Sequence, residues 1–190
     1  MLNGLELATV SSDGLSLLSL RVHGDRISPE FASIEISGGL YGDEVEHKHL
    51  IWESDRIIAP GDEVSVTFLE TAISSRSGKT IDELYADEDE PQGPWQPIEQ
   101  MFQNIAQRPK VRDRFSFLIH SSSSEPMSFE TLPDDHSFGF SATWIWMHPE
   151  RLRISLNSNT LENIAKREGG TDHASFRMQY GDQVKFRVDS

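Results

Sequence analysis

His47-Lys48-His49 sets two imidazoles one residue apart. On a strand, residues i and i+2 share a face, so both rings can grip one metal ion. Asp43, Glu44 and Glu46 stand just upstream. A catalytic zinc site takes three protein ligands and keeps a fourth position open. His23, His120, His136, His148 and His173 are candidates for the third ligand, and no spacing selects one. A metal-assisted hydrolase using His47 and His49 is therefore the enzymatic reading. Against it stands a solvated, charged stretch that holds no metal.

Asp134-Asp135-His136 and Asp172-His173 each offer a carboxylate beside an imidazole. A hydrolase also needs a serine activated at a strained turn. The nearest text, Gly139-Phe140-Ser141-Ala142, lacks the second glycine of G-x-S-x-G. Adjacent Asp and His are more often polar turn residues. Paired carboxylates are too frequent here to mark a glycosidase, which needs two at a fixed separation in a cleft. Neither G-x-x-x-x-G-K-S/T nor G-x-G-x-x-G occurs, and Ser74–Lys79 reads as a loop with no helix after it. No cofactor is expected. Trp144 and Trp146 share a face with Ala142 if that run is a strand, and core packing explains them better than stacking on a ligand.

The most asymmetric feature is the acidic run Asp82, Glu83, Asp87, Glu88, Asp89 and Glu90, flanked by Tyr85 and Trp95. It reads either as a solvated loop or as a docking surface for a basic protein, with the two aromatics as anchors. Acidity is general in this chain: 31 Asp and Glu against 17 Lys and Arg give a net charge of −14. That excess disfavours nucleic acid and anionic membranes as partners, because phosphate binding needs Lys and Arg. The absence of cysteine removes disulfides, thiolate metal sites and a Cys nucleophile. MLNGLELATVSSDG has neither a basic n-region nor a long apolar h-region, so no signal peptide is expected, and the expected address is the cytoplasm.

The elements that must position these residues are mostly strands. Leu18–Val22 and Phe31–Ile36 alternate in hydrophobicity, and Ser37-Gly38-Gly39 is expected to break the second run. Pro60-Gly61 suits the centre of a type II turn. Val64, Val66 and Phe68 then form one face of a strand. Residues 71–93 read as a surface segment anchored by Ile81, Leu84 and Tyr85. Pro97 opens a helix whose Ile98, Met101, Phe102, Ile105 and Ala106 make one apolar stripe, and Pro109 stops it. Arg114–Ile119, Phe138–Met147 and Leu152–Leu156 read as strands, with a loop from the Ser run through Pro133. A short helix at Leu161–Ala165 is opened by Asn159 or Thr160, with Glu162 placed for a capping box and Gly169-Gly170 as its stop.

GDEVSVTFLE at residues 61–70 returns as GDQVKFRVDS at residues 181–190. Ile34 precedes the first and Ile154 the second by the same 27 positions. Upstream, SLRVHGDRISPEFASIEIS parallels SATWIWMHPERLRISLN with a shorter turn. The reading is a single domain over 1–190. Pseudo-repeats at 15–70 and 137–190 are joined by an acidic loop, helix and strand over 71–136. A plainer reading competes, because Gly-Asp before an alternating strand is common turn chemistry. The fold class is α+β, mainly β: an antiparallel β-rich domain with the amphipathic helix packed on it.

His49-Leu50-Ile51-Trp52, followed by Gly61-Asp62-Glu63-Val64-Ser65-Val66 and a closing Glu70, resembles a family of uncharacterised small bacterial proteins with an H-L-x-W … G-D-E-V-x-V segment. The resemblance covers about residues 31–70, implies bacterial origin, and carries no activity, cofactor or site residue. The function expected from the chain is an acidic protein-binding module. Its most concrete form is an immunity or inhibitor protein neutralising a cationic partner such as a bacterial toxin. The interface expected is Asp82, Glu83, Tyr85, Asp87, Glu88, Asp89, Glu90 and Trp95. The oligomeric state is left open.

Overall fold

Phe138, Phe140, Ala142 and Trp144 are buried, and the residues between them are half-exposed. That period of two is a strand with one face in the core. The same pattern recurs in Leu152–Asn159 and Gln183–Asp189. The computed structural model describes residues 15–41, 47–69, 75–86 and 97–189. Their order is β1 (Leu17–Asp25), β2 (Ala32–Leu40), β3 (Lys48–Ile58), β4 (Glu63–Thr67), α1 (Ile81–Leu84), α2 (Ile98–Gln107), β5 (Ser116–Ser121), β6 (Met127–Glu130), β7 (Ser137–Ile145), β8 (Leu152–Asn159), α3 (Leu161–Lys166), β9 (Thr171–Met178) and β10 (Gln183–Asp189). Among the described residues no helix is long and apolar enough to cross a membrane.

The fold is mainly antiparallel β. One sheet has the order β3-β2-β1-β7-β8-β9, the other β4-β10-β5-β6. Rings bridge the two sheets: Phe140 of β7 stacks on Phe186 of β10 at 4.3 Å, and Phe117 of β5 meets Phe138 of β7 at 4.9 Å. The buried apolar residues form one cluster drawn from both sheets. Burying an aromatic removes a large apolar area from water, so these rings dominate the core energetics. The outer face of the larger sheet is polar: Ser141 meets Ser155 at 2.8 Å and Ser19 meets Thr143 at 3.2 Å. α2 has no buried residue and meets α3.

The register repeats along the chain. β1 and β7 begin and end 120 positions apart, as Leu17–Asp25 and Ser137–Ile145. They pair with Arg21 opposite Ser141, while β4 and β10 pair with Ser65 opposite Lys185. Leu20↔Ile36 in the first half matches Phe140↔Leu156 in the second, and both outer pairings carry an irregularity, after Ile36 and after Leu156. The Gly-Asp turns match atom for atom. Asp62 Oδ2 accepts from Ala59 N at 3.0 Å, and Asp182 Oδ2 from Gln179 N at 2.8 Å. Gly61 N donates to Val188 O, and Gly181 N to Phe68 O.

Several local expectations are corrected. β2 runs through Ser37-Gly38-Gly39 to Leu40. Glycine at 38 serves close approach, since a Cβ there would meet the Leu17 carbonyl. β6 lies where a loop was expected, and β9 was not read at all: Thr171–Met178, TDHASFRM, has weak alternation and an irregularity. β7 ends at Ile145, so Trp146 stands in a turn instead of on the face of Trp144. The turns 26–31 and 146–151 have equal length, so the second is not shorter. The loop around Ser75–Lys79 is followed by a helix, α1. In α3, Thr160 caps Asn163 N at 3.1 Å, so Glu162 is outside the capping box and pairs with Lys166 at 2.5 Å. That helix ends at Arg167 in the left-handed region, before the two glycines.

Gly61 and Gly181 have φ of +84° and +91°, and a Cβ at either meets nothing closer than 3.7 Å. Alanine there is penalised by backbone strain alone, about 1–2 kcal/mol. Gly61→Ala and Gly181→Ala are expected to lower unfolding free energy by similar amounts in urea titrations, and together by roughly the sum.

Candidate functional site

The structure brings Asp135 and His173 together through a residue the sequence reading missed. Ser158 Oγ lies 2.5 Å from Asp135 Oδ2 and 2.8 Å from His173 Nε2. Ser158 and Asp135 are buried. A hydroxyl carries one proton. With that proton on the bond to Asp135, His173 must donate from Nε2 to Ser158 Oγ. The order is His–Ser–Asp, whereas nucleophilic activation needs the imidazole between serine and carboxylate, as base. The group is therefore a pin. Asp135 Oδ2 also accepts from Leu132 N at 2.7 Å, tying the 131–136 loop to β8. Arg26 reinforces it, donating to Pro133 O at 2.6 Å and Leu132 O at 2.8 Å while almost fully buried. Nothing in local text could reveal Ser158, because its partners are 23 and 15 positions away. Ser141 lies mid-strand, bonded to Ser155, not at a strained elbow.

His47 precedes β3 and His49 lies in it, and both are exposed. Tyr41 links them: its hydroxyl is 2.9 Å from His49 Nδ1, and its ring lies 6.0 Å from that of His47. Among the described residues no group of three His, Asp or Glu side chains is placed to hold a metal ion. Asp43, Glu44 and Glu46 lie outside the described residues.

Of the expected interface, Asp82, Glu83 and Tyr85 are exposed on and beside α1, which contacts β3. Asp87, Glu88, Asp89, Glu90 and Trp95 lie outside the described residues. Glu83 is engaged locally. Its Oε2 accepts from Thr80 N at 2.8 Å and Thr80 Oγ1 at 3.2 Å, and these bonds hold its carboxyl below the usual value. α1 is fixed to the frame by the Ile51↔Lys79 bridge and by Arg76, which reaches the Trp52 carbonyl and Glu53.

Several aromatic and apolar side chains are exposed just beyond strand ends. Trp146 N donates to Ser16 O at 3.0 Å, and Tyr41 N donates to Ser16 Oγ at 3.0 Å. Farther along, Tyr180 donates from its hydroxyl to Pro149 O at 2.8 Å and stacks on Phe68 at 4.4 Å. Trp146 is 60% exposed, Met147 62%, Tyr180 48% and Leu69 53%. Sequence reading placed Trp146 in the core because alternation continues past Ile145. No protein-family model, curated protein or solved structure matches the chain.

Two predictions follow from the pin and its surroundings. Ser158→Ala strands a buried carboxylate oxygen and an imidazole N–H, so unfolding free energy in denaturant is expected to drop by about 1–3 kcal/mol. For His136, burial disfavours the imidazolium; Asp25 opposes this, and Arg26 and Lys110 add to it, so its pKa lies below 6.5. Burial also raises Asp25, but hydrogen bonds from Ile27 N, Ser28 N and the Ser28 hydroxyl outweigh it and hold its pKa below 3.8. Both groups bind protons less readily folded than unfolded, so each contributes stability at high pH that is lost as pH falls. Stability is expected to decline first below pH 6.5, from His136, and again below 3.8, from Asp25. His136→Gln should remove the first decline and leave the second.

Proposed function

We propose that the chain is an acidic protein-binding module, most concretely an immunity or inhibitor protein that neutralises a cationic partner such as a bacterial toxin. The observation that carries this reading is where the charge lies. Residues 1–14, 42–46, 70–74 and 87–96 hold ten of the 31 acidic residues and none of the 17 basic ones. The rest of the chain keeps 21 acids against 17 bases, near balance. Ten of the fourteen net negative charges thus fall in these four stretches of the sequence. A cationic partner is attracted over distances of about a Debye length and aligned before contact. The exposed Trp, Tyr and Met side chains add the residue types that carry binding energy at protein interfaces. The resemblance of residues 31–70 to uncharacterised bacterial proteins supports a bacterial origin.

Association kinetics with a basic partner identified by co-purification test the reading. Replacing Asp87, Glu88, Asp89 and Glu90 by Asn and Gln is expected to slow association several-fold at low salt and much less at high salt, with dissociation little changed. Unchanged association at low salt would show that this run does not steer the partner. The metal-assisted hydrolase on His47 and His49 makes a separate demand: tag-free protein must retain stoichiometric metal, and lose it in His47→Ala.

A further inference from the structure

A strand at the edge of a sheet offers unpaired N–H and C=O groups to any chain that can match its register. The larger sheet has two edges, β3 and β9. On β3 the chain covers part of its own edge: Ile51 N donates to Lys79 O at 2.8 Å, and Lys79 N to Ile51 O at 2.9 Å. On the smaller sheet the edges β4 and β6 are only five and four residues long. β9 is eight residues long, and among the described residues no backbone bond reaches its outer side.

The ladder to β8 decides which side chains that edge shows. Its pairs are Arg153↔Arg177, Ile154↔Phe176, Ser155↔Ser175, Leu156↔Ala174 and then Asn157↔Asp172, so His173 is passed over. One extra residue shifts the alternation of everything before it. Asp172 and Arg177 are five positions apart and would point to opposite faces of a regular strand. Here Asp172, Ser175 and Arg177 are all exposed, while Ala174, Phe176 and Met178 pack on the core. His173 is drawn inward, with Nε2 2.8 Å from Ser158 Oγ. Arg177 stands opposite Arg153, which is also exposed, and like charges directly opposite are unfavourable. Among the described residues neither Asp172 nor Arg177 has a hydrogen bond or an ion pair. The outer face of β9 therefore carries an unrelieved pair of cations at one end and an unmatched carboxylate at the other.

That order is its own complement. A twofold axis through Ser175, perpendicular to the sheet, reverses the strand and keeps its faces. Arg177 of each copy then stands opposite Asp172 of the other, and Ser175 meets Ser175. On the inner face Phe176 stands opposite Ala174, large against small, twice over. Each incoming carboxylate lies beside an Arg153–Arg177 pair and relieves it. The match exists because His173 is passed over; in a regular strand the same axis would set Asp172 opposite Met178. We propose that β9 is the surface through which this protein pairs with a second copy of itself. The two β9 strands run antiparallel about Ser175 and join two sheets of six strands into one of twelve. Nothing in this pairing requires a cationic partner, so the acidic-binder reading stands or falls separately.

Sedimentation velocity of the full chain across a concentration series tests the pairing. About 0.15 M salt screens the repulsion between two chains of net charge −14. The wild type is expected to dimerise as concentration rises. Arg177→Asp sets two carboxylates opposite each other at both ends and should raise the dimer Kd roughly tenfold or more. The same change gives Arg153 an opposite charge across the ladder, so thermal melts of the dilute protein should not fall. Asp172→Arg/Arg177→Asp restores each pair with its signs exchanged and should regain most of the lost affinity. Ser175→Cys, in a chain without cysteine, should oxidise to a linked dimer faster than Ser124→Cys, which alters an exposed serine in a turn. A wild type that stays monomeric would overturn the proposal, and so would equal oxidation of the two cysteine variants. A dimer indifferent to Arg177→Asp would place the interface elsewhere. A loss that the exchanged pair does not restore would overturn the register about Ser175.

Discussion

β1 and β7 run side by side in opposite directions, with Arg21 opposite Ser141, and the rest of the chain is arranged around that contact. In the second sheet β4 and β10 repeat it, with Ser65 opposite Lys185. At the middle of each pair the facing residues are 120 positions apart, so each half meets its counterpart at the same point of its own strand. Side chains alternate with period two, and a slip of one residue would turn Phe138, Phe140 and Trp144 to water. The Phe140–Phe186 stack then locks one sheet onto the other, because both rings face inward only in this register. The turn at Gly61 is held to Val188, and the turn at Gly181 to Phe68, so even the turns are fixed by the opposite half.

A frame with two equivalent halves and a single connecting stretch cannot treat both halves alike. Residues 108–114 can roof one β-turn, and they roof the first. The loop 131–136 then closes over Arg26, and Ser158 with His173 pins the loop by its buried aspartate. At positions offset by 120, exposed Trp146 corresponds to buried Arg26, and buried Leu15 corresponds to buried Asp135. The asymmetry of surface follows from topology as much as from composition. The same argument explains α3: Thr160 caps a short helix ahead of β9 in the second half, and β3 is the longer edge strand in the first.

Strands whose inner residues are all large and apolar were legible in the sequence. β7, β8 and β10 are of this kind, and their alternation is dictated by burial on one face. β9 was not legible. As an edge strand it buries little besides Met178, its His173 faces a polar network, and an irregularity beside Leu156 breaks its period. β6 is four residues long with no buried member, too short to carry a period. The end of β7 was misjudged because Trp144 and Trp146 have identical side chains and spacing. What separates them is tertiary: Trp144 donates from Nε1 to Pro149 O inside the turn, whereas Trp146 lies beyond the last pair, Ile145 with Leu17. The acidic stretches were fully legible as composition.

Exposed tryptophan and concentrated negative charge make opposite demands on whatever a chain binds. A Trp ring gains by leaving water, whereas carboxylates lose hydration unless a cation replaces it. An anionic surface would be repelled, and a purely apolar one would strand the carboxylates. An extended basic chain meets both demands, since Lys and Arg carry long apolar stems that lie along a ring while their charged ends reach outward. The chain already makes that contact once, where the Arg112 guanidinium sits over Phe31 and Phe115 and its N–H groups satisfy turn carbonyls. In that roofed turn the cation comes from within the chain and its surroundings are near neutral.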